Sequence, residues 1–139
     1  MTSLKTQEME KTYLTLKEAN ALIPKIRPML LEVMHINRSL DIISSIDFCH
    51  EDDFEFARFN IETSEKFHKL SLRFYQILNQ LLKQGCIVKD VGLGLVDFFS
   101  VHKNKEILLC YQVTEDSIEY WHGLDCDLHS RKHISSLNK

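Results

Sequence analysis

The sequence predicts an α+β protein. It reads as a short N-terminal helix plus a long antiparallel helical hairpin, followed by a small antiparallel β-meander of three to four strands. Three observations carry this reading. Apolar residues recur at helical spacing as far as Leu82; Gly85 ends that pattern abruptly; beyond it come short segments rich in β-formers, separated by turn residues.

Residues 1–12 are polar and read as a disordered tail. Thr15-Leu16-Lys17-Glu18 has the form of a capping box, in which the threonine hydroxyl and the glutamate carboxylate each take a free amide of the first turn. A helix starts there. Pro24 and Pro28 follow, and an interior proline both removes a hydrogen bond and crowds the preceding turn. The expectation is a short helix from Leu16 to about Ile23 and a second one starting by Pro28. The second carries Met29, Val33, Ile36, Leu40 and Ile43 at alternating steps of four and three, widened by Leu30 and Met34. Ser44 to Asp53 is a polar break, and Asp52, Asp53 and Glu55 suit the positive end of a third helix. That helix carries Phe67, Leu70, Phe74, Ile77 and Leu81, and Gly85 is its C-terminal stop.

At about 1.5 Å per residue the third helix would be roughly 45–50 Å long. It outruns its partner, and its first half still carries Phe54, Phe56, Phe59 and Ile61. Either it bends or a second copy of the chain covers the excess; the reading adopted is a homodimer through the helices. After Gly85, strands are expected at Cys86–Val88, Leu95–His102, Glu106–Val113 and Ser117–His122, with a hairpin turn in Lys103-Asn104-Lys105. Residues 125–139 read as a polar C-terminal tail, with a short helix at most. The whole is read as a single domain, 1–139, with helices over 15–84 and sheet over 86–122.

Composition narrows the function classes. Hydrophobic residues make up 44% and charged residues 27%, ordinary for a globular domain. A net charge of -3 argues against a nucleic-acid partner. No apolar run reaches the ~18 residues of a membrane span, and the first residues lack the apolar stretch of a secretory signal. The expected location is cytoplasmic. The four cysteines, Cys49, Cys86, Cys110 and Cys126, form no C-x-x-C pair and are expected as reduced thiols.

Several stretches resemble a bacterial family catalogued as domain-of-unknown-function family 2203. They are Leu14 to Pro24 with its proline pair, Gly94-Leu95-Val96-Asp97-Phe98, Leu109-Cys110-Tyr111, Glu115, Tyr120-Trp121-His122 and Arg131. The resemblance implies the fold and names no chemistry. The chain departs from the family pattern at Tyr111, where a tryptophan is usual, at Thr114, where a glycine is usual, and at Asp127 and Leu128, where a glycine and an aromatic are usual.

Four constellations could carry function. Asp97, Cys110, Glu115 and His122 are suitable ligand types for zinc or iron. Strand alternation tests them. With Asn104-Lys105 as a two-residue loop, Asp97 faces Gln112 and Phe99 faces Cys110; with Glu115-Asp116 as the next loop, Cys110 faces Trp121. Asp97, Phe99, Cys110, Gln112 and Trp121 then share one face, and Phe98, Tyr111, Tyr120 and His122 the other, so Cys110 and His122 could not hold one ion. A bulge or another loop length would flip one set. The C-terminal set His122, Cys126, His129 and His133 spans roughly 16 Å as a helix, too far for one ion. A cysteine–histidine nucleophile pair lacks any local signature, and Asp90 to Gly94 is a turn with no phosphate-loop context. Last, Tyr111, Tyr120, His122 and Arg131 could form a recognition surface, since aromatics and arginine anchor interfaces.

The sequence therefore reads as a non-catalytic binding or assembly module, homodimeric through its helices, with an unidentified protein or small-molecule ligand and no expected cofactor. The alternative is a zinc or iron protein, or small metalloenzyme, centred on His122.

Overall fold

The computed structural model describes residues 11–45, 53–124 and 130–138. Cys49, Asp125, Cys126, Asp127, Leu128 and His129 lie outside the described residues, as do most of the predicted N-terminal tail and polar break.

The first helix, α1, runs unbroken over Leu16–Ser44, with Pro24 and Pro28 inside it. This corrects the expectation of a short helix that stops near Pro24. The capping box at its start is present: Glu18 N donates to Thr15 Oγ1 at 3.1 Å and Thr15 N to Glu18 Oε1 at 3.0 Å. Both prolines are solvent-exposed, so the carbonyls they leave unpaired, on Asn20 and Pro24, lie along the same wet side. On the other side Ala19, Ile23, Ile26, Leu30, Val33 and Ile36 are buried. An interior proline costs about 3 kcal/mol, whereas fully burying one large aliphatic side chain gains about 1.5–3 kcal/mol. Five such side chains on one stripe outweigh two prolines.

The second helix, α2, spans Asp53–Lys83 and returns antiparallel to α1. Only Ile77 and Leu81, near its C-terminal end, are fully buried. Arg73 grips Glu32 of α1 with two hydrogen bonds, 2.9 Å and 3.1 Å, which hold the Glu32 carboxyl below its ordinary range. Gly85 ends the helix with φ +87°, a left-handed conformation that suits glycine.

A five-stranded antiparallel sheet follows, with the strands in chain order: β1 Cys86–Asp90, β2 Leu95–His102, β3 Lys105–Gln112, β4 Tyr120–Gly123 and β5 Lys132–His133. β5 lies in the segment expected as a loose tail, and a 3-10 turn, Ile134–Asn138, follows it. One face of the sheet packs on the helices. Cys86, Val96, Phe98, Ile107, Leu109 and Tyr111 join the α1 stripe, Ile77 and Leu81 in one core.

The hairpin turn between β2 and β3 is Lys103-Asn104, both at positive φ (50° and 63°), the two-residue turn whose twist matches paired strands. It sits one residue earlier than predicted, so Asp97 pairs with Cys110 and Phe99 with Leu108. A one-residue move of a two-residue loop shifts partners by two and leaves the faces unchanged. β4 differs more. It pairs Leu108 with His122, Leu109 with Trp121 and Cys110 with Tyr120, where Cys110 opposite Trp121 was expected. This one-step offset turns every β4 side chain to the opposite face.

The cause lies in the connection, residues 113–119, which replaces the predicted two-residue loop. Ile118 drops into the core, fully buried, and its amide donates to Asn20 Oδ1 at 2.9 Å. Arg27 Nη2 donates to the Glu115 carbonyl at 2.6 Å, and Arg27 Nε to the Tyr111 hydroxyl at 3.0 Å. Two polar side chains of α1 thus set where β4 begins.

Gly94, ahead of β2, has φ +65°, and a Cβ there would lie 2.7 Å from Val113 Cγ1 and 2.8 Å from Met34 Sδ. Helix, turn and β3 exit meet at that point. Gly94→Ala should lower unfolding stability by about 2–4 kcal/mol through combined backbone strain and overpacking. Urea denaturation should read this as a lower midpoint at unchanged slope.

Candidate metal centre

The face of the sheet turned away from the helices is not a plain solvated face. Leu95, Asp97, Leu108, Cys110 and His122 are all buried on it, outside the helix-packed core. Lys11 and Tyr13 cover one part: Lys11 Nζ stands 4.8 Å from the Phe99 ring centre, and the Tyr13 hydroxyl donates to the Glu106 carboxylate. Arg131 covers another, with its guanidinium 4.2 Å from the Tyr120 ring centre.

Asp97, Cys110 and His122 meet there. Asp97 and Cys110 are direct cross-strand partners, and His122 lies one strand further on. Their ligand atoms all fall within 4.8 Å of one another. Asp97 is 2% exposed and His122 8%, so water does little to solvate either group. Bonds of about 2.0–2.3 Å to one tetrahedral ion place ligand atoms roughly 3.3–3.8 Å apart. The His122–Asp97 separation already meets this, with Nε2 at 3.4 Å from Oδ1 and 3.3 Å from Oδ2.

The other ring nitrogen decides the chemistry. His122 Nδ1 lies 2.9 Å from the Gly123 carbonyl, which can only accept, so Nδ1 carries the hydrogen. In the neutral ring, Nε2 then presents a lone pair to a carboxylate. Two acceptors facing each other in a buried place repel unless a proton or a cation lies between them. An imidazole held by a backbone carbonyl through one nitrogen, with the other free, is also the usual posture of a metal ligand.

The buried Cys110 thiol is pushed up to about 12, first by burial and then by the Asp97 charge, with Arg131 pulling the other way. Cys86, on the helix side, is also pushed up to about 12, again chiefly by burial. Glu115, predicted as a fourth ligand, stands apart from the cluster. Its Oε1 accepts from Gln112 N at 2.7 Å and lies 3.6 Å from Arg131 Nη2, while burial raises its carboxyl above the ordinary value.

The predicted recognition surface is divided. Tyr111 is fully buried against α1, with its hydroxyl taken by Arg27. Tyr120, His122 and Arg131 stay together on the far face. Trp121 turns to the helix side beside Leu109 rather than Cys110, and its indole N–H donates to Ser136 Oγ at 2.8 Å. His133, from the predicted C-terminal set, lies against Tyr120 with ring centres 5.9 Å apart. Asn20 and Arg27, which position β4, were absent from the predicted site. The signal that could have found them is Ile118, a lone apolar residue in a polar run, which marks a loop dipping into the core.

Thiols held near 12 are almost wholly neutral at pH 8 and react slowly as nucleophiles. In metal-free folded protein, Cys86 and Cys110 should resist iodoacetamide and become labelled only on denaturation, read by peptide mass spectrometry. Labelling of Cys110 within minutes in the folded state would contradict this.

No curated protein and no solved structure matches the chain. One protein-family pattern does, described as an uncharacterized conserved protein, DUF2203, and it covers residues 12–134 of the 139. Nearly the whole described fold, with the Asp97–Cys110–His122 cluster, lies inside that match, and the chain belongs to the DUF2203 family.

Proposed function

We propose that the protein binds one zinc or iron(II) ion through Asp97, Cys110 and His122. The observation that carries this reading is the buried triangle of carboxylate, thiol and imidazole, in which His122 Nε2 stands 3.3 Å from the Asp97 carboxylate while Nδ1 faces the Gly123 carbonyl. A mixed oxygen, sulfur and nitrogen set suits zinc, and a three-residue set leaves a fourth position open. The ion ionises the Cys110 thiol, and its charge compensates Asp97 and the thiolate together.

Elemental analysis of untagged protein tests this. Close to one equivalent of zinc or iron is expected, falling by more than about 100-fold in affinity for His122→Ala, since even outer-shell partners cost 10–100-fold. Cobalt substitution should add a thiolate charge-transfer band that Cys110→Ser abolishes. Protein that is metal-free as isolated and gives no such band with added cobalt ends this reading.

A second reading concerns assembly, and a specific observation favours it. Ile61, Leu72 and Tyr75 of α2 are 61%, 62% and 66% exposed, although all three are large and apolar. Their spacing of eleven and three places them on one side of the helix, a stripe of the kind that pairs with a second helix. The partner proposed is a second copy of the chain, and the protein then acts as a homodimeric binding module through its helices. Sedimentation should give twice the chain mass, with Leu72→Asp shifting it to the monomer while leaving the sheet spectrum intact. A wild-type monomer at high micromolar concentration would end the homodimer.

A further inference from the structure

We infer that the same centre takes a small oxyanion, a carboxylate or a phosphate group, between the open metal position and Arg131. This deepens the metal reading and rests on it. The observation is Arg131 itself. Its Nε and Nη2 are buried and, among the described residues, have no hydrogen-bond acceptor. Buried guanidinium donors are rarely left unpaired, because nothing replaces the water they lose.

The nearest charge does not meet that need. Glu115 Oε1 stands 3.6 Å from Arg131 Nη2, beyond a good hydrogen bond, and already accepts from Gln112 N at 2.7 Å. The guanidinium is held all the same, stacked at 4.2 Å over the Tyr120 ring. Tyr120 is the cross-strand partner of Cys110 and lies on the same face of the sheet. The orphaned donors therefore sit beside the sulfur corner of the triangle.

Nε and one terminal nitrogen form the edge of a guanidinium that matches two oxygens of a carboxylate or phosphate. An oxyanion that gives one oxygen to the ion and the others to this edge satisfies both at once. It also fills the coordination position that three protein ligands leave open. Acetate and inorganic phosphate share this chemistry, and separate titrations distinguish them.

The experiment uses full-length protein loaded with cobalt, so that metal binding is read first and independently. Acetate or phosphate should change the visible cobalt spectrum saturably. Arg131→Gln should keep the cobalt and its thiolate band but weaken anion binding by about 10–100-fold, the loss expected for a charge-assisted pair. Arg131→Lys should fall between, since it keeps the charge without the two-donor edge. If cobalt binds with its thiolate band and neither anion moves the spectrum, the anion site is overturned while the metal reading stands. The same holds if Arg131→Gln and Arg131→Lys both respond like wild type. If cobalt does not bind, the metal reading fails, and the anion site fails with it.

Discussion

The odd–even alternation of β4 against β3 is the constraint on which the rest of this molecule depends. A strand has two faces, and a single step of register decides which side chains each face receives. Here the step turns His122 toward Asp97 and Cys110 and turns Trp121 toward the helices. The opposite step would place an imidazole in the apolar core and an indole over a buried carboxylate. Neither group would find a partner of its own chemistry, so the register is held by energy as well as by geometry.

What fixes the step lies far away in sequence. Asn20 and Arg27 are seven residues apart on α1, two turns along one side of the helix and about 10.5 Å apart along its axis. One takes the amide of Ile118 and the other the carbonyl of Glu115, so the connection is pinned at both ends. This works only if α1 is one rigid rod between the two side chains. Pro24 lies between them and Pro28 immediately after, and a break there would uncouple the two anchors. The exposure of both prolines is thus tied to the site on the far side of the sheet: their lost hydrogen bonds fall where water can replace them.

This explains which parts of the architecture were legible in the sequence. The α+β class, the hairpin of long helices and the strands Leu95–His102 and Cys86–Val88 follow from local periodicity, which reports on each segment alone. Which side chains of β2 and β3 share a face was also legible, because a tight hairpin tolerates a one-residue misplacement without exchanging its faces; that the helices cover the Tyr111 face rather than the Cys110 face was not. The continuity of α1 was not legible, since proline propensity is local and the stripe that overrides it is tertiary. The β4 register was not legible either, because it is set by contacts 88 and 98 residues apart in sequence. The site residues Asp97, Cys110 and His122 were identifiable by type; their meeting at one point depended on that non-local register.

The physical burden of the arrangement falls on Asp97. A carboxylate 2% exposed in a sheet interior is costly, and its immediate neighbours are a thiol and an imidazole, not an arginine. With protons alone, the buried thiol keeps its hydrogen and one proton must lie between His122 Nε2 and the carboxylate. A divalent ion would replace those protons with one charge, and all three side chains would then offer lone pairs. Apolar residues of similar volume at these three positions would stabilise the sheet as well or better. Three mutually facing ligand types on three neighbouring strands are therefore poorly explained by packing alone.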